Sequence, residues 1–254
     1  MTAKLLWGLL TPFIGTAAGS ACVFFMKKSI KESLRRALSG FAAGVMLAAS
    51  VWSLLIPSIE GWKGVEFLSF IPAAVGFSLG IIFLLLLDMC ARRLYGRGST
   101  HRKRSAMTAL AVVIHNIPEG MAVGAVFVPM LAHSPSFSYA AASAFSLGIA
   151  IQNFPEGAII SMPLRGEGAG KKKAFISGVL SGAVEPAAAV LTLLLSSVTL
   201  AALPYLLSFA AGAMIYVAAV ELIPEMTCEE SPAGGILMFS AGFLIMMILD
   251  VALG

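Results

Sequence analysis

The sequence predicts an all-α integral membrane protein with eight transmembrane helices, arranged as three, two and three, the outer sets being inverted repeats. Its composition, its apolar runs and the distribution of its basic residues support this fold class. Of the 254 residues, 59% are hydrophobic and only 12% are charged, and the mean hydropathy is +0.93. Soluble domains usually carry about 25% charged residues. The expected surroundings of this chain are therefore lipid.

Eight apolar runs are long enough to cross a bilayer, since a hydrocarbon core of about 30 Å takes roughly 20 residues of helix. A signal peptide is the alternative for the first run, but its length and the basic flank Lys27-Lys28 favour a retained helix. Residues 1–254 are thus interpreted as a single polytopic membrane domain. The predicted helices, numbered one to eight, cover residues 5–26, 38–60, 68–89, 106–130, 138–163, 174–196, 200–224 and 232–252.

The basic residues lie in alternate loops and indicate the orientation of the chain. Of the 17 Lys and Arg residues, 15 follow helices one, three and five. By the positive-inside rule these loops are cytoplasmic, which predicts a protein of the cytoplasmic (inner) membrane with both termini outside. This topology explains the net charge of +4 without a nucleic acid partner. The 15 residues are Lys27, Lys28, Lys31, Arg35, Arg36, Arg92, Arg93, Arg97, Arg102, Lys103, Arg104, Arg165, Lys171, Lys172 and Lys173.

Two segments of the chain repeat each other. Phe41–Met46 in helix two matches Phe209–Met214 in helix seven at five of six positions, and the tripeptide Leu-Ile-Pro follows both, ending at Pro57 and Pro224. In the predicted topology helix two runs outward and helix seven runs inward, so the repeats are inverted. Inverted repeats of this kind recur in secondary transporters.

A polar hexapeptide also occurs twice, once in each central helix. Residues four apart share one face of a helix, so the first and fifth positions of each copy form a half-site. The proline of each copy removes a helical hydrogen bond at a depth where this is tolerated only against protein, water or ions. An isolated charge at the bilayer centre costs roughly 2.5 to 3.5 kcal/mol, so a bound cation is the simplest partner. The copies are His115-Asn116-Ile117-Pro118-Glu119-Gly120 and Gln152-Asn153-Phe154-Pro155-Glu156-Gly157.

A third carboxylate, Glu185 in helix six, reaches the same depth. It lies 12 residues from Lys173 at the cytoplasmic end of its helix, and His115 lies 10 residues from Ser105 at the cytoplasmic end of helix four. At about 1.5 Å per residue these positions fall in one layer. Carboxylates, an imidazole and amide oxygens together suit a divalent ion such as zinc, iron(II), manganese or cadmium. The sequence therefore predicts a metal site between helices four, five and six.

Together these motifs resemble the ZIP family, the zinc- and iron-regulated transporter-like proteins, and in particular its short bacterial members. The specific marks are the two hexapeptides and Glu185-Pro186, and the resemblance covers essentially the whole chain. It implies a binuclear site that is bridged by Glu119 and Glu156. The implied ligands are His115, Glu119, Gln152 and Glu156 for one metal, with Met46 beside it, and Asn116, Asn153 and Glu185 for the second.

Two features depart from the pattern of the family. Some similar members carry aspartate where this chain has Asn153, so the second site has lost a negative charge. We therefore expect the second metal to bind weakly or not at all. The loop after helix three, often histidine-rich in eukaryotic members, contains only His101 between Ala91 and Arg104, which argues against a metal-sensing loop.

The predicted function is transport of a divalent transition metal into the cytoplasm by alternating access, with zinc in first place. From the midplane site the metal is expected to leave past Glu221 and Glu225. The resemblance implies that helices one, four, five and six move as a unit against helices two, three, seven and eight, with Gly44 and Gly212 permitting sliding. No prosthetic cofactor is expected. The predicted partners are the metal ion and membrane lipid, and the oligomeric state, for instance a homodimer, stays open.

Two other functions are compatible with the same ligands. An intramembrane metalloenzyme would use paired Glu and His on a helical bundle, but such sites typically contain Glu-x-x-His, which neither hexapeptide supplies. A passive channel would need similar ligands but no second conformation. The inverted repeats favour a transporter, so we expect that the protein is not an enzyme.

Overall fold

The computed structural model describes residues 2–25, 31–62, 66–95, 101–131, 133–134, 137–166, 168–195, 202–227 and 233–253, and the regular elements in these ranges are helical. The description of the helix that begins at His101 includes side chains only from Asn116 onward. The long helices are α1 (Thr2–Ala21), α2 (Glu32–Ala49), α3 (Phe70–Tyr95), α4 (His101–Leu131), α5 (Tyr139–Gly166), α6 (Lys171–Gly182), α7 (Leu203–Val217) and α8 (Ala233–Leu253).

Several helices continue beyond a break, and each label below includes the continuation. A short 3₁₀ turn also precedes α3, at Glu66–Leu68. The continuations are Cys22–Phe24 as a 3₁₀ turn after α1, Ser50–Leu55 as a π-helical segment and Ile56–Glu60 after α2, Val184–Leu194 after a turn at Ala183 for α6, and Ala218–Leu222 as a π-helical segment and Ile223–Met226 after α7.

The two copies of the predicted repeat adopt the same local structure. In both α2 and α7 a π-helical segment precedes an Ile-Pro pair, at Pro57 and at Pro224. Proline has no N–H to donate to the carbonyl one turn earlier, so the α-helical hydrogen-bond pattern is interrupted there. The helix widens by one residue per turn instead of breaking, as π-helical turns do.

Six helices of the described chain are long and apolar enough to cross a membrane, which confirms the predicted all-helical membrane class. Helix α4 contributes a shorter apolar stretch, Asn116–Leu131, and α5 is not among the six spans found in the described residues. The side chains of α4 are described only from Asn116 onward, and the Gln, Asn and Glu side chains of the second hexapeptide lower the hydropathy of α5. That α4 and α5 also cross the membrane stays a prediction. The six spans are Ala3–Phe24, Glu32–Glu60, Phe70–Cys90, Lys171–Leu194, Leu203–Met226 and Ala233–Ala252.

Glycines allow four pairs of helices to pack with their backbones in contact. A Cβ atom on Gly19 of α1 would collide with the backbone of α5, and one on Gly120 of α4 with that of α6. The same holds for Gly44 of α2 against α8 and for Gly212 of α7 against α3. Small residues that admit such close approach are a main source of helix association in membranes.

These pairs assemble into two groups of four helices. Helix α1 contacts α6 as well as α5, because Gly178 and Gly182 of α6 lie against Ser20 and Thr16. We call α1, α4, α5 and α6 the first group, and α2, α3, α7 and α8 the second group. Among the described glycines, every close approach to the backbone of another helix lies within one of these groups.

The structure corrects the expected role of two glycines. Gly44 and Gly212 were predicted to permit sliding between the groups, but Gly44 faces Phe239 and Phe243 of α8, and Gly212 faces Phe77 of α3. All of these residues belong to the second group. The two glycines therefore hold the second group together, since a larger residue at either position would push its own helices apart.

Side chains form the boundary between the groups. Gly148 of α5 lies against the Met246 side chain of α8, and this is the glycine contact across the boundary that the described chain shows. Met46 and Met214, which occupy matching positions of the repeat, are fully buried in the same apolar cluster as Met246. At its glycine contact the boundary is thus formed by a flexible apolar side chain rather than by a second backbone.

Candidate metal centre

The first hexapeptide lies on α4, where this helix packs against α6. Asn116 and Glu119 are both buried, with about 1% of each residue exposed. Gly120 follows Glu119 and lies against the backbone of Glu185. A side chain at position 120 would force α4 and α6 apart, so the glycine sets the distance between the two helices. The side chain of His115 lies outside the described part of the chain.

The second hexapeptide lies on α5 and is pressed against α1. Gln152 and Asn153 are fully buried, and Glu156 keeps 8% of its exposure. Gly157 lies against the backbone of Thr16, and the Ser20 hydroxyl donates to the Gly157 carbonyl at 3.3 Å. These contacts fix the rotation of α5, so the polar side of the helix faces the interior of the first group.

Gln152 connects the glutamates of both hexapeptides. Its Nε2 atom donates to Glu119 Oε1 at 2.6 Å and to Glu156 Oε1 at 3.1 Å. The first bond joins α5 to α4, and the second follows the i, i+4 spacing along α5 that the sequence predicted. Glu119, Gln152 and Glu156 therefore form one cluster.

Glu185 forms the centre of a second cluster. Its Oε1 atom accepts hydrogen bonds from Asn116 Nδ2 at 3.1 Å and from the Thr16 hydroxyl at 3.0 Å. Its Oε2 atom accepts one from Asn153 Nδ2 at 2.7 Å. Glu185 is buried, and four helices of the first group supply this cluster. The asparagines of both hexapeptides thus meet at the third predicted carboxylate.

Thr16 was not foreseen as part of the site. A threonine in an apolar helix usually bonds to its own backbone, and no motif in α1 marks this residue. Its only sequence signal is its position between Gly15 and Gly19, the glycines through which α1 approaches α5. Without knowing which face of α1 packs, this signal cannot be distinguished from ordinary helix packing.

Four oxygen atoms at the site are buried and have no hydrogen-bond partner among the described residues. The amide nitrogens donate to carboxylates, so the amide oxygens have no donor to bind. The orientation of each amide group is assigned from this hydrogen-bond network. A buried polar atom without a partner costs about 1 to 3 kcal/mol. A divalent cation would satisfy several such oxygens at once, so these residues fit a metal ion as cargo. The atoms are Asn116 Oδ1, Glu119 Oε2, Gln152 Oε1 and Asn153 Oδ1.

Not every predicted ligand joins these clusters. Among the residues that the structure describes, no group of three or more His, Cys, Asp or Glu side chains is arranged to hold a metal. Carboxamides lie between the carboxylates, and the side chain of His115 is outside the described residues. Met46 lies on α2 in the buried apolar cluster that both groups share, so its predicted contact with the metal stays a prediction. Of the predicted exit residues, Glu221 lies in the π-helical segment of α7 and Glu225 lies one turn further on.

These observations define a class of protein: a helical membrane protein with a buried cluster of carboxylate and carboxamide side chains. The family model described as ZIP Zinc transporter matches residues 95–250. The chain belongs to this family, as the motifs predicted, and it is an integral membrane protein.

Named relatives cover nearly the whole chain. Zinc transporter ZIP11 of Xenopus tropicalis is 37% identical, with 98% of this chain and 95% of the relative covered. Zinc transporter GufA of Myxococcus xanthus is 32% identical, with coverage of 94% and 96%. Zinc transporter ZIPB of Bordetella bronchiseptica is 33% identical, with coverage of 95% and 79%. All three are named as transporters, which is consistent with a protein that is not an enzyme.

Proposed function

We propose that this protein transports divalent transition metal ions, zinc in first place, across the cytoplasmic membrane into the cell by alternating access. The observation that carries the proposal is the set of four buried oxygens without partners on α4 and α5. They lie among three buried glutamates. Without a bound ligand, such a partly satisfied polar network is less stable than an apolar core would be. The relatives are named as zinc transporters, and iron(II), manganese and cadmium are further substrates that the same ligands suit.

The two clusters correspond to two parts of the proposed site. Glu119, Gln152 and Glu156 hold the transported ion together with His115, and Met46 approaches it from the second group. Asn116, Asn153 and Glu185 form the second part. In this part the Glu185 oxygens already accept bonds from neutral donors, which supports weak binding of a second metal or none.

The proposed architecture is eight spanning helices in a three, two and three arrangement, with α4 and α5 in the centre and both termini outside. The matching π-helical segments of α2 and α7 support the inverted repeat. The proposed motion is that of the first group against the second. It is supported by the glycine packing, because the glycines approach other backbones within each group, whereas the glycine contact across the boundary is with the Met246 side chain. A homodimer is compatible with this arrangement.

The test is zinc uptake into proteoliposomes that contain an entrapped zinc indicator. Glu156→Ala and His115→Ala are each expected to lower uptake by at least about a hundredfold, since each removes a proposed ligand from a buried site. Ser161→Ala is a matched control on α5, because Ser161 is buried and its hydroxyl bonds only locally, to the Ala158 carbonyl. Undiminished uptake in both ligand variants would refute the site, and equal loss in the control would point to damage of α5.

A further inference from the structure

An ion pair and a partly buried hydrogen bond hold Glu225, which lies where the end of α7 meets the beginning of α2. Arg35 Nη1 lies 2.6 Å from Glu225 Oε1, and the Ser39 hydroxyl donates to Glu225 Oε2 at 2.7 Å. Ser39 is fully buried, whereas the side chains of Arg35 and Glu225 are 34% and 20% exposed. Glu225 is therefore a fixed carboxylate with a cationic partner that water can reach.

The same arginine is anchored to α2 by Glu32. Arg35 Nε donates to Glu32 Oε2 at 3.3 Å, and Arg35 Nη2 pairs with Glu32 Oε1. The planar guanidinium presents several donors in a fixed fork, so it can engage two carboxylates at once. Because of its bonds to Glu32, Arg35 remains close to Glu225 even when the ion pair between Arg35 and Glu225 is broken.

The position of Glu225 connects this ion pair with the proposed exit. Glu225 lies four residues beyond Glu221, so the two carboxylates share one face at the end of α7. An ion that passes Glu221 next reaches Glu225, whose carboxylate is already paired with the guanidinium of Arg35. Both side chains are partly exposed to water, and ion pairs that water can reach are weak and exchange readily. A divalent ion can therefore displace Arg35, and Arg35 can in turn return the ion to water.

We infer that Arg35 is a positioning residue that competes with the metal ion for the carboxylate of Glu225. Its ion pair with Glu225 forms again as the metal leaves, which prevents the ion from remaining bound at the exit. This inference rests on the proposed function. It implies that loss of the Arg35 charge turns Glu225 into a better cation ligand and slows release. Loss of both charges removes the trap together with its competitor.

The test is the rate of zinc uptake into proteoliposomes as a function of zinc concentration. Arg35→Gln is expected to lower both the maximal rate and the KM by about two- to fivefold, the range that an exposed ion pair can contribute. A slower release step lowers both quantities, because bound zinc then accumulates on the protein. Arg35→Lys keeps the charge and is expected to retain most of the rate. The double variant Arg35→Gln, Glu225→Gln is expected to be faster than Arg35→Gln alone.

Arg165→Gln is the matched control, because it removes a charge from another basic loop where Arg165 Nη1 binds the Ala169 carbonyl at 3.0 Å. Unfolding temperatures in detergent show whether each variant is folded. A lower rate with unchanged KM, a double variant as slow as the single one, or no change in Arg35→Gln would each overturn the inference. Absence of zinc uptake by the wild-type protein would instead refute the proposed function, and the inference with it.

Discussion

The first and second groups of helices are packed by the same means but bury different side chains. In both, glycines let helix backbones touch, as Gly19 does in α1 and Gly44 in α2. The buried Glu, Asn and Gln side chains that the structure describes all belong to the first group, whereas the second group buries apolar residues and hydroxyls. The described polar residues of the candidate metal site are therefore carried by one tightly packed unit.

The largest expected effect comes from joining the groups covalently. Gly148 and Met246 face each other across the boundary, so cysteines at both positions can be linked by a short bis-methanethiosulfonate reagent. If the first group moves against the second, the link reduces zinc uptake to the background of empty liposomes, and dithiothreitol restores it. The measurement is uptake before linking, after linking and after reduction, in a background in which serine replaces Cys22, Cys90 and Cys228.

A link within one group provides the control for this experiment. The rings of Phe24 and Phe175 lie 5.1 Å apart between their centroids, and both belong to the first group. Cysteines at these positions, joined by the same reagent, are expected to leave uptake intact. Full uptake with the Gly148–Met246 link in place would show that the groups do not need to move.

A smaller effect is expected from filling a glycine contact inside the second group. In Gly44→Ala the new Cβ collides with the α8 backbone at Phe239, and overpacking of this kind costs about 1 to 3 kcal/mol. Gly234→Ala is the matched control on α8, because nothing lies within 4 Å of a Cβ at this position. There alanine is expected to leave the unfolding temperature close to that of the wild-type protein, because the added Cβ meets no other atom. Unfolding temperatures in detergent that are equal for the two variants would contradict the packing described above.

The smallest expected effect concerns the second part of the metal site. Asn153→Asp replaces a donor to Glu185 by a second carboxylate, so the two charges repel each other unless a cation binds between them. We expect the number of zinc ions bound per chain to rise from one to two, and zinc to raise the unfolding temperature more than in the wild-type protein. Both are measurable by elemental analysis and thermal unfolding in detergent. Asn153→Ala serves as the control, and an unchanged stoichiometry in Asn153→Asp would contradict the expectation.

Much of the candidate site could be predicted because its residues lie on two helices at regular spacing. The i, i+4 relation correctly placed Gln152 beside Glu156, and counting residues from the helix ends correctly placed Glu185 at the depth of the asparagines. The all-helical class was predicted as well, although α6 turns at Ala183 immediately before Glu185 where a continuous helix was predicted. Local periodicity and hydropathy are sufficient for results of this kind.

Other features could not be predicted because they depend on which helix faces meet. The hydroxyl of Thr16 reaches Glu185 only through the rotation of α1, and Arg35 reaches Glu225 only because α2 and α7 converge. The expected role of Gly44 was wrong for the same reason. A small residue indicates close packing, but the sequence does not say which helix is the partner.

By itself, the sequence determined that the protein is a helical membrane protein, that two polar hexapeptides and Glu185 share one depth, and that the chain resembles the ZIP family. These properties follow from hydropathy and spacing along single helices. Only the tertiary structure decided that Gln152 joins the glutamates of both hexapeptides, that neutral donors surround Glu185, and that backbone contacts divide the helices into two groups. The physical reason is that contacts between helices depend on rotation and close approach, which small residues scattered along the whole chain set together.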